Sequence, residues 1–189
     1  MEAQVTAATD TTEVAKRLVC AHLQPGDLAV DATCGNGWDT LAMAEAVGPD
    51  GKVIAFDVQA EAIAATRECL GQHLDRVTLI QASHVNLADH LTGKAQAIMF
   101  NLGYLPGGDK ALTTRTDETL PALQLALDGL DTHGLLSIVV YPGHPEGLEE
   151  AKAIDTWVAE LKDLRIFSYK RSNSRAPAPY AWFIQTGKK

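Results

Sequence analysis

Short unbroken apolar runs alternate with amphipathic stretches along this chain. An apolar run of a few residues bounded by turn residues suits a strand covered on both faces, whereas apolar positions three and four apart suit a helix lying on such a sheet. The pattern predicts a helix over Glu13 to Leu23, capped by Thr11 or Thr12 and stopped at Pro25-Gly26. A strand follows over Leu28 to Thr33, then a helix over Thr40 to Val47 that ends in the turn Gly48-Pro49-Asp50-Gly51. Further strands are predicted at Lys52 to Phe56, Val77 to Gln81, Ala95 to Asn101 and Leu135 to Tyr141, with helices over Ala60 to His73 and Thr116 to Leu130. A long helix over Gly147 to Leu164 precedes the last two strands, Arg165 to Arg171 and Tyr180 to Thr186.

Apolar strands alternating with helices predict a largely parallel sheet with helices on both faces. The tail breaks the alternation. The link from Ser172 to Pro179 is too short for a crossover helix, so the last strand must run antiparallel to its predecessor. The expected fold class is therefore α/β, a Rossmann-like doubly wound seven-stranded sheet with an antiparallel last strand. With 189 residues and no linker, repeat or low-complexity tract, a single domain over residues 1–189 is expected. No run approaches the roughly 18 to 20 apolar residues of a membrane span. Met1 to Asp10 carries neither a basic nor an apolar signal region. The 3 cysteines, Cys20, Cys34 and Cys69, are too few and scattered for a disulfide frame or a zinc site. A reducing compartment, cytoplasm or a plastid-like interior, is expected.

Charge refines this picture. The net charge of −8 argues against coating nucleic acid by charge alone. The distribution is uneven: residues 1–100 carry 6 basic and 13 acidic side chains, residues 101–189 carry 10 and 11. From Arg165 to Lys189 there are 6 basic side chains and no acid, so that end can meet a polyanion. The plainer alternative is a strand pair that is basic by accident.

The sharpest motif, Asp31-Ala-Thr-Cys-Gly-Asn-Gly-Trp-Asp-Thr40, lies where the first strand hands over to the next helix. Ligands of doubly wound sheets bind at that edge, near the point where strand order reverses. Gly35 and Gly37 permit close backbone approach. Asp57 ends the second strand, where an acid can accept both ribose hydroxyls of a nucleoside. Asp39-Thr40 replaces a third glycine, and Asp31 and Asp39 place negative charge where a pyrophosphate needs none. A cationic nucleoside ligand fits better. Thr33, Asn36 and Gln59 complete this expected cofactor set. Ser83 or His84, after the third strand, faces the expected base edge, although His84 reads equally as an exposed loop histidine. Trp38 is a candidate wall of the cofactor pocket, Trp182 core, and Cys34 a small packed residue.

Two further loops sit at the same edge. Asn101-Leu-Gly-Tyr-Leu-Pro-Gly-Gly-Asp-Lys110 ends the fourth strand, and Tyr141-Pro-Gly-His-Pro-Glu-Gly147 follows the fifth. Polar and aromatic residues on a shaped loop at a strand's carboxyl end are usually functional.

Seven strands with an antiparallel final hairpin resemble the layout of class I methyltransferases. The segments from Asp31 to Thr40, from Asn101 to Lys110 and from Tyr141 to His144, with the tail around Asn173 and Pro177, resemble a narrower family: the small bacterial and plant rRNA-methylase-like group of tRNA wobble-uridine aminomethyl methyltransferases. The resemblance implies S-adenosylmethionine as cofactor, S-adenosylhomocysteine as product and no metal. It implies methylation of the primary amine of 5-aminomethyl-uridine, often 2-thiolated, at the wobble position of tRNA. The partner is then the anticodon stem-loop. In such an enzyme the Asn101 carboxamide or nearby carbonyl oxygens hold the N–H groups of the amine, Asn101 also borders the cofactor, and Tyr104 stacks on the uridine. His144, Asp109 and Tyr104 are candidates to take the proton that an alkylamine, with a pKa near 10.4, carries at neutral pH. Lys110, Arg115, Lys170, Arg171 and Arg175 are candidate phosphate contacts, with solvated surface the plainer alternative for Arg115 and Lys170. A homodimer would extend the RNA surface of so small an enzyme. Two rivals remain open at this stage: a small-molecule N- or O-methyltransferase, favoured by the acidic charge, and an NAD-dependent oxidoreductase or silent nucleoside-binding module. The missing third glycine and the antiparallel tail count against the oxidoreductase.

Overall fold

A computed structural model describes residues 10–103, 116–172 and 177–187. Seven strands form one sheet: β1 (Leu28–Asp31), β2 (Lys52–Asp57), β3 (Val77–Gln81), β4 (Ala95–Asn101), β5 (Leu130–Val140), β6 (Arg165–Lys170) and β7 (Tyr180–Gln185). Their order is β3-β2-β1-β4-β5-β7-β6. The first five are parallel to one another, and β7 runs antiparallel to both β5 and β6. The expected antiparallel tail is therefore present. Its last strand turns back into the sheet and inserts between β5 and β6.

The helices are α1 (Thr11–His22), α2 (Trp38–Ala46), α3 (Ala60–Leu70), the short α4 (Leu87–His90), α5 (Thr116–Gly129) and α6 (Pro145–Glu160). One core joins Ala15 and Val19 of α1 and Met43 and Ala44 of α2 to Ala29, Val53, Met99, Val139 and Phe183 of the sheet. The other joins Leu87, Leu123, Ala126 and Ile154 to Val30, Phe56, Ile98, Phe100 and Ile138. The apolar runs thus bury both faces of the central strands, as a parallel sheet requires.

Element ends depart from the pattern where side chains or single backbone angles decide. Asp10, not a threonine, caps α1, accepting from Thr12 N at 2.9 Å. Thr11 is buried instead and donates to the Pro179 carbonyl at 3.1 Å, tying α1 to the approach to β7. The helix expected to reach His73 stops at Leu70, because Gly71 takes φ 50°, and a 3-10 turn over Gly71–Arg76 follows. The helix expected from Gly147 begins at Pro145 and ends at Glu160, short of Leu164. Its cap is His144, whose Nδ1 accepts from Gly147 N at 3.1 Å. The fifth strand begins at Leu130 rather than Leu135, with His133 left-handed at φ 68° where its register against β4 shifts.

Candidate active site

Strand order reverses between β1 and β4, so a crevice opens at their carboxyl ends. The loop from Ala32 to Gly37 is stitched into it from several sides. Ala32 N donates to Met99 O at 2.8 Å, Cys34 N to Phe56 O at 2.8 Å, and Asn101 N to Thr33 Oγ1 at 2.7 Å. Gly35 and Gly37 take φ 52° and 85°. A Cβ on Gly37 would lie 2.7 Å from Thr66 Cα, so this glycine's close approach is to α3. Thr66 Oγ1 in turn donates to Gly35 O at 3.0 Å.

Asp57 closes the far side. Its Oδ2 accepts from Gly35 N and its Oδ1 from Gln59 N, both at 3.0 Å. Each oxygen keeps a second lone pair, which suits two ribose hydroxyls. Val58 beside it is exposed, an apolar residue at a strand end where no core needs it. The pattern of the sequence gave no reason to single it out. It becomes noticeable only once its exposure is known.

Asp31 is wholly buried, accepting from Thr40 Oγ1 at 2.6 Å and from Thr33 N at 3.2 Å. Burial first, and then the charge of Asp39, push its carboxyl up to about 7. A buried carboxylate in that state favours a cationic group beside it. Asp39 is also raised by burial, opposed by Lys16 and by its bond from Asn101. Its Oδ2 accepts from Asn101 Nδ2 at 2.6 Å, and Lys16 Nζ lies 3.9 Å from its Oδ1. The Asn101 Oδ1 is buried with no hydrogen-bond partner among the described residues. Such an orphan acceptor is costly unless something else satisfies it.

On the β3 side, Ser83 Oγ donates to Glu118 Oε2 at 2.6 Å. His84 is buried rather than an exposed loop residue, with its ring edge against Phe100 at 5.5 Å. Burial lowers its pKa, which favours the neutral ring. On the β5 side, His144 is half-buried with its ring against Gly147, where a Cβ would lie 2.8 Å from Nε2. The Gly147 N–H occupies Nδ1, so capping α6 is one task of this side chain. Cys34 is a packed residue whose thiol is pushed up to about 12 by burial. Trp38 is 67% exposed and lines a shallow hollow with Asn36, Ala65, Glu68 and Cys69. Trp182 is partly buried and donates to Asp155 Oδ1 at 2.8 Å.

Among the candidate phosphate contacts, Arg171 is exposed just beyond β6. Lys170 lies over the Tyr180 ring at 4.3 Å and the Trp182 ring at 5.2 Å. Lys170, Tyr180 and Val140 share one level of the sheet, so both basic residues stand at the ligand edge. Tyr104, Asp109, Lys110, Arg115 and Arg175 lie outside the described residues. Among the described residues no cluster of three His, Cys, Asp or Glu could hold a metal, and no helix is long and apolar enough to cross a membrane.

A sheet of this order, with a glycine loop after β1 and an acid ending β2, has the class I methyltransferase fold. The chain belongs to the family described as "Putative rRNA methylase", whose model matches residues 53–185. It is 38% identical over 191 residues to the chloroplastic tRNA (mnm(5)s(2)U34)-methyltransferase of Arabidopsis thaliana, covering 86% of this chain and 70% of that protein. A "putative rRNA-methylase" of Clostridium thermocellum superposes with a TM-score of 0.90 at 35% identity, covering 93% of this chain and 97% of the other. A Streptococcus mutans methyltransferase solved with S-adenosylhomocysteine superposes at 0.82 and 32% identity, again covering 93% and 97%.

Proposed function

We propose that this protein transfers a methyl group from S-adenosylmethionine to the primary amine of 5-aminomethyl-(2-thio)uridine at the tRNA wobble position. The product is 5-methylaminomethyl-(2-thio)uridine. The likeness to the Arabidopsis tRNA methyltransferase supports the substrate, and the Streptococcus mutans complex supports the cofactor. The geometry's own support is one observation: a buried carboxamide oxygen at the end of β4, unbonded among the described residues, beside a loop suited to a cationic nucleoside.

When bound, the cofactor supplies a methyl group already activated on a sulfonium. The chain's residues then bind, orient and deprotonate. Asp57 takes the ribose hydroxyls, with Val58, Ser83 and His84 around the base. Asp31 lies under the cationic end, and Gly35, Asn36 and Gly37 let the backbone lie against it. Asn101 Oδ1 accepts an N–H of the acceptor amine and so aims its lone pair, which makes alignment the main source of rate. Tyr104 stacks on the uridine. His144, Asp109 or Tyr104 takes the amine proton. Lys110, Arg115, Arg171 and Arg175 meet phosphates of the anticodon stem-loop. A homodimer in the cytoplasm or a plastid completes this reading, and sedimentation tests the dimer.

Nucleoside mass spectrometry tests the reaction. Bulk tRNA from a strain lacking the gene should accumulate aminomethyl-uridine, which gains one methyl when purified protein and S-adenosylmethionine are added. An unchanged profile would overturn the tRNA reading. The net charge of −8 would then favour a small-molecule acceptor.

A further inference from the structure

Lys16 belongs to no motif, yet α1 carries it to the active-site edge. Its Nζ sits 2.6 Å from Glu13 Oε2 on the same helix and 3.9 Å from Asp39 Oδ1 at the start of α2. Asp39 Oδ2 holds Asn101 Nδ2 at 2.6 Å. An ionised carboxylate only accepts hydrogen bonds, so it selects the NH2 end of a carboxamide and turns the oxygen away. That oxygen is the buried one without a partner among the described residues.

A protonated Asp39 would lose this selection, because an acid O–H can equally face a carboxamide oxygen. Burial pushes Asp39 toward that state, and the Lys16 charge opposes it. We propose that Lys16 and Asp39 are positioning residues that fix which end of the Asn101 carboxamide faces the acceptor amine. The proposal rests on Asn101 as the amine holder in the reading above. A wrongly turned amide would present two N–H groups to the amine's N–H groups, and the nucleophile would lose the acceptor that Asn101 aims at it.

The test has a readout independent of turnover. In 15N-labelled protein the Asn101 side-chain amide signal is identified by its loss in Asn101→Asp. In the wild type its protons should exchange slowly with solvent, since one is donated to a partly buried carboxylate. Lys16→Met and Asp39→Asn should speed that exchange, and Lys16→Arg should restore it. With tRNA as substrate, kcat should fall by roughly tenfold to a hundredfold in Lys16→Met and Asp39→Asn, with the cofactor Kd of Lys16→Met within about twofold of wild type. Unchanged exchange in both variants would overturn the proposal, as would a Lys16→Met cofactor Kd that rises as steeply as kcat falls. Lys16 is partly exposed, so Lys16→Met should fold even if Asp39→Asn does not. A wild type inactive on tRNA would refute the proposed function, and the exchange experiment would still decide the relay.

Discussion

The two sides of the β1–β4 crevice are built differently. On the β1–β2 side the polar groups already satisfy one another: both Asp57 oxygens accept backbone amides, and both Asp31 oxygens accept from Thr33 and Thr40. On the β4 side Asn101 is tied at one end only, and its oxygen has no partner among the described residues. A site braced by its own chain is formed before its ligand arrives, which lowers the ordering cost of binding. A side with an unsatisfied acceptor is completed by what binds there. The first side therefore suits a constant cofactor and the second a guest that enters and leaves.

That contrast can be broken most sharply at Asp57. Asp57→Ala removes the proposed ribose acceptor and frees the Gly35 and Gln59 amides, and should raise the cofactor Kd by about a hundredfold. Tyr104→Ala should leave that Kd nearly unchanged and lower turnover. Calorimetry on both variants checks this, and loss of cofactor binding in Tyr104→Ala would erase the division between the sides.

Gly37→Ala comes next. It places a Cβ 2.7 Å from Thr66 Cα at a φ of 85°, and should cost about 2 kcal/mol of stability in a urea melt. A neutral result would mean that the loop and α3 give way easily, contrary to a braced cofactor side.

Smaller is the effect of pH. Asp31 is raised to about 7, with Asp39 and Asp57 adding like charge. Below that pH it is mostly protonated, so a cationic ligand must displace a proton to bind. Cofactor affinity should rise about tenfold from about pH 6 to about pH 8 and level off above that. Asp31→Asn should flatten the profile. A flat wild-type profile would place the cation away from Asp31.

Arg171→Ala is the mildest. It should raise the KM for tRNA a few-fold, leave the cofactor Kd alone and reduce the salt slope of RNA binding by about 1. An unchanged salt slope would make Arg171 ordinary solvated surface.

Most of the sheet could be read from the sequence, because apolar runs ending in Asp31, Asp57 and Asn101 carry both the strands and the site edge. The insertion of β7 between β5 and β6 could not. A short link dictates an antiparallel partner, but which further edge that strand joins depends on tertiary packing. The cap at Asp10 is hidden for a related reason. Thr11 and Thr12 are good caps by type, and only the contact from Thr11 to Pro179 shows that Thr11 is otherwise engaged. The position of His84 after a strand reads equally as an exposed loop, yet its ring packs on Phe100, a neighbour sixteen positions away that no local pattern reveals. Lys16 stands out in no sequence pattern because its partner Asp39 lies on another helix, and polar pairs between elements leave no periodic trace.

The place of β7 bears on how the chain comes into being. Strands β1 to β6 can all leave the ribosome while β5 still has an open edge, since its neighbour on that side has not been made. Ile138 and Val139, fully buried in the finished sheet, pair with Trp182 and Ala181, forty-odd positions later. Until those residues emerge, a strand from the centre of the core waits with one edge unpaired and exposed to other chains. A nascent chain stalled before Tyr180 should therefore be a far better client for chaperones than one released after Gln185.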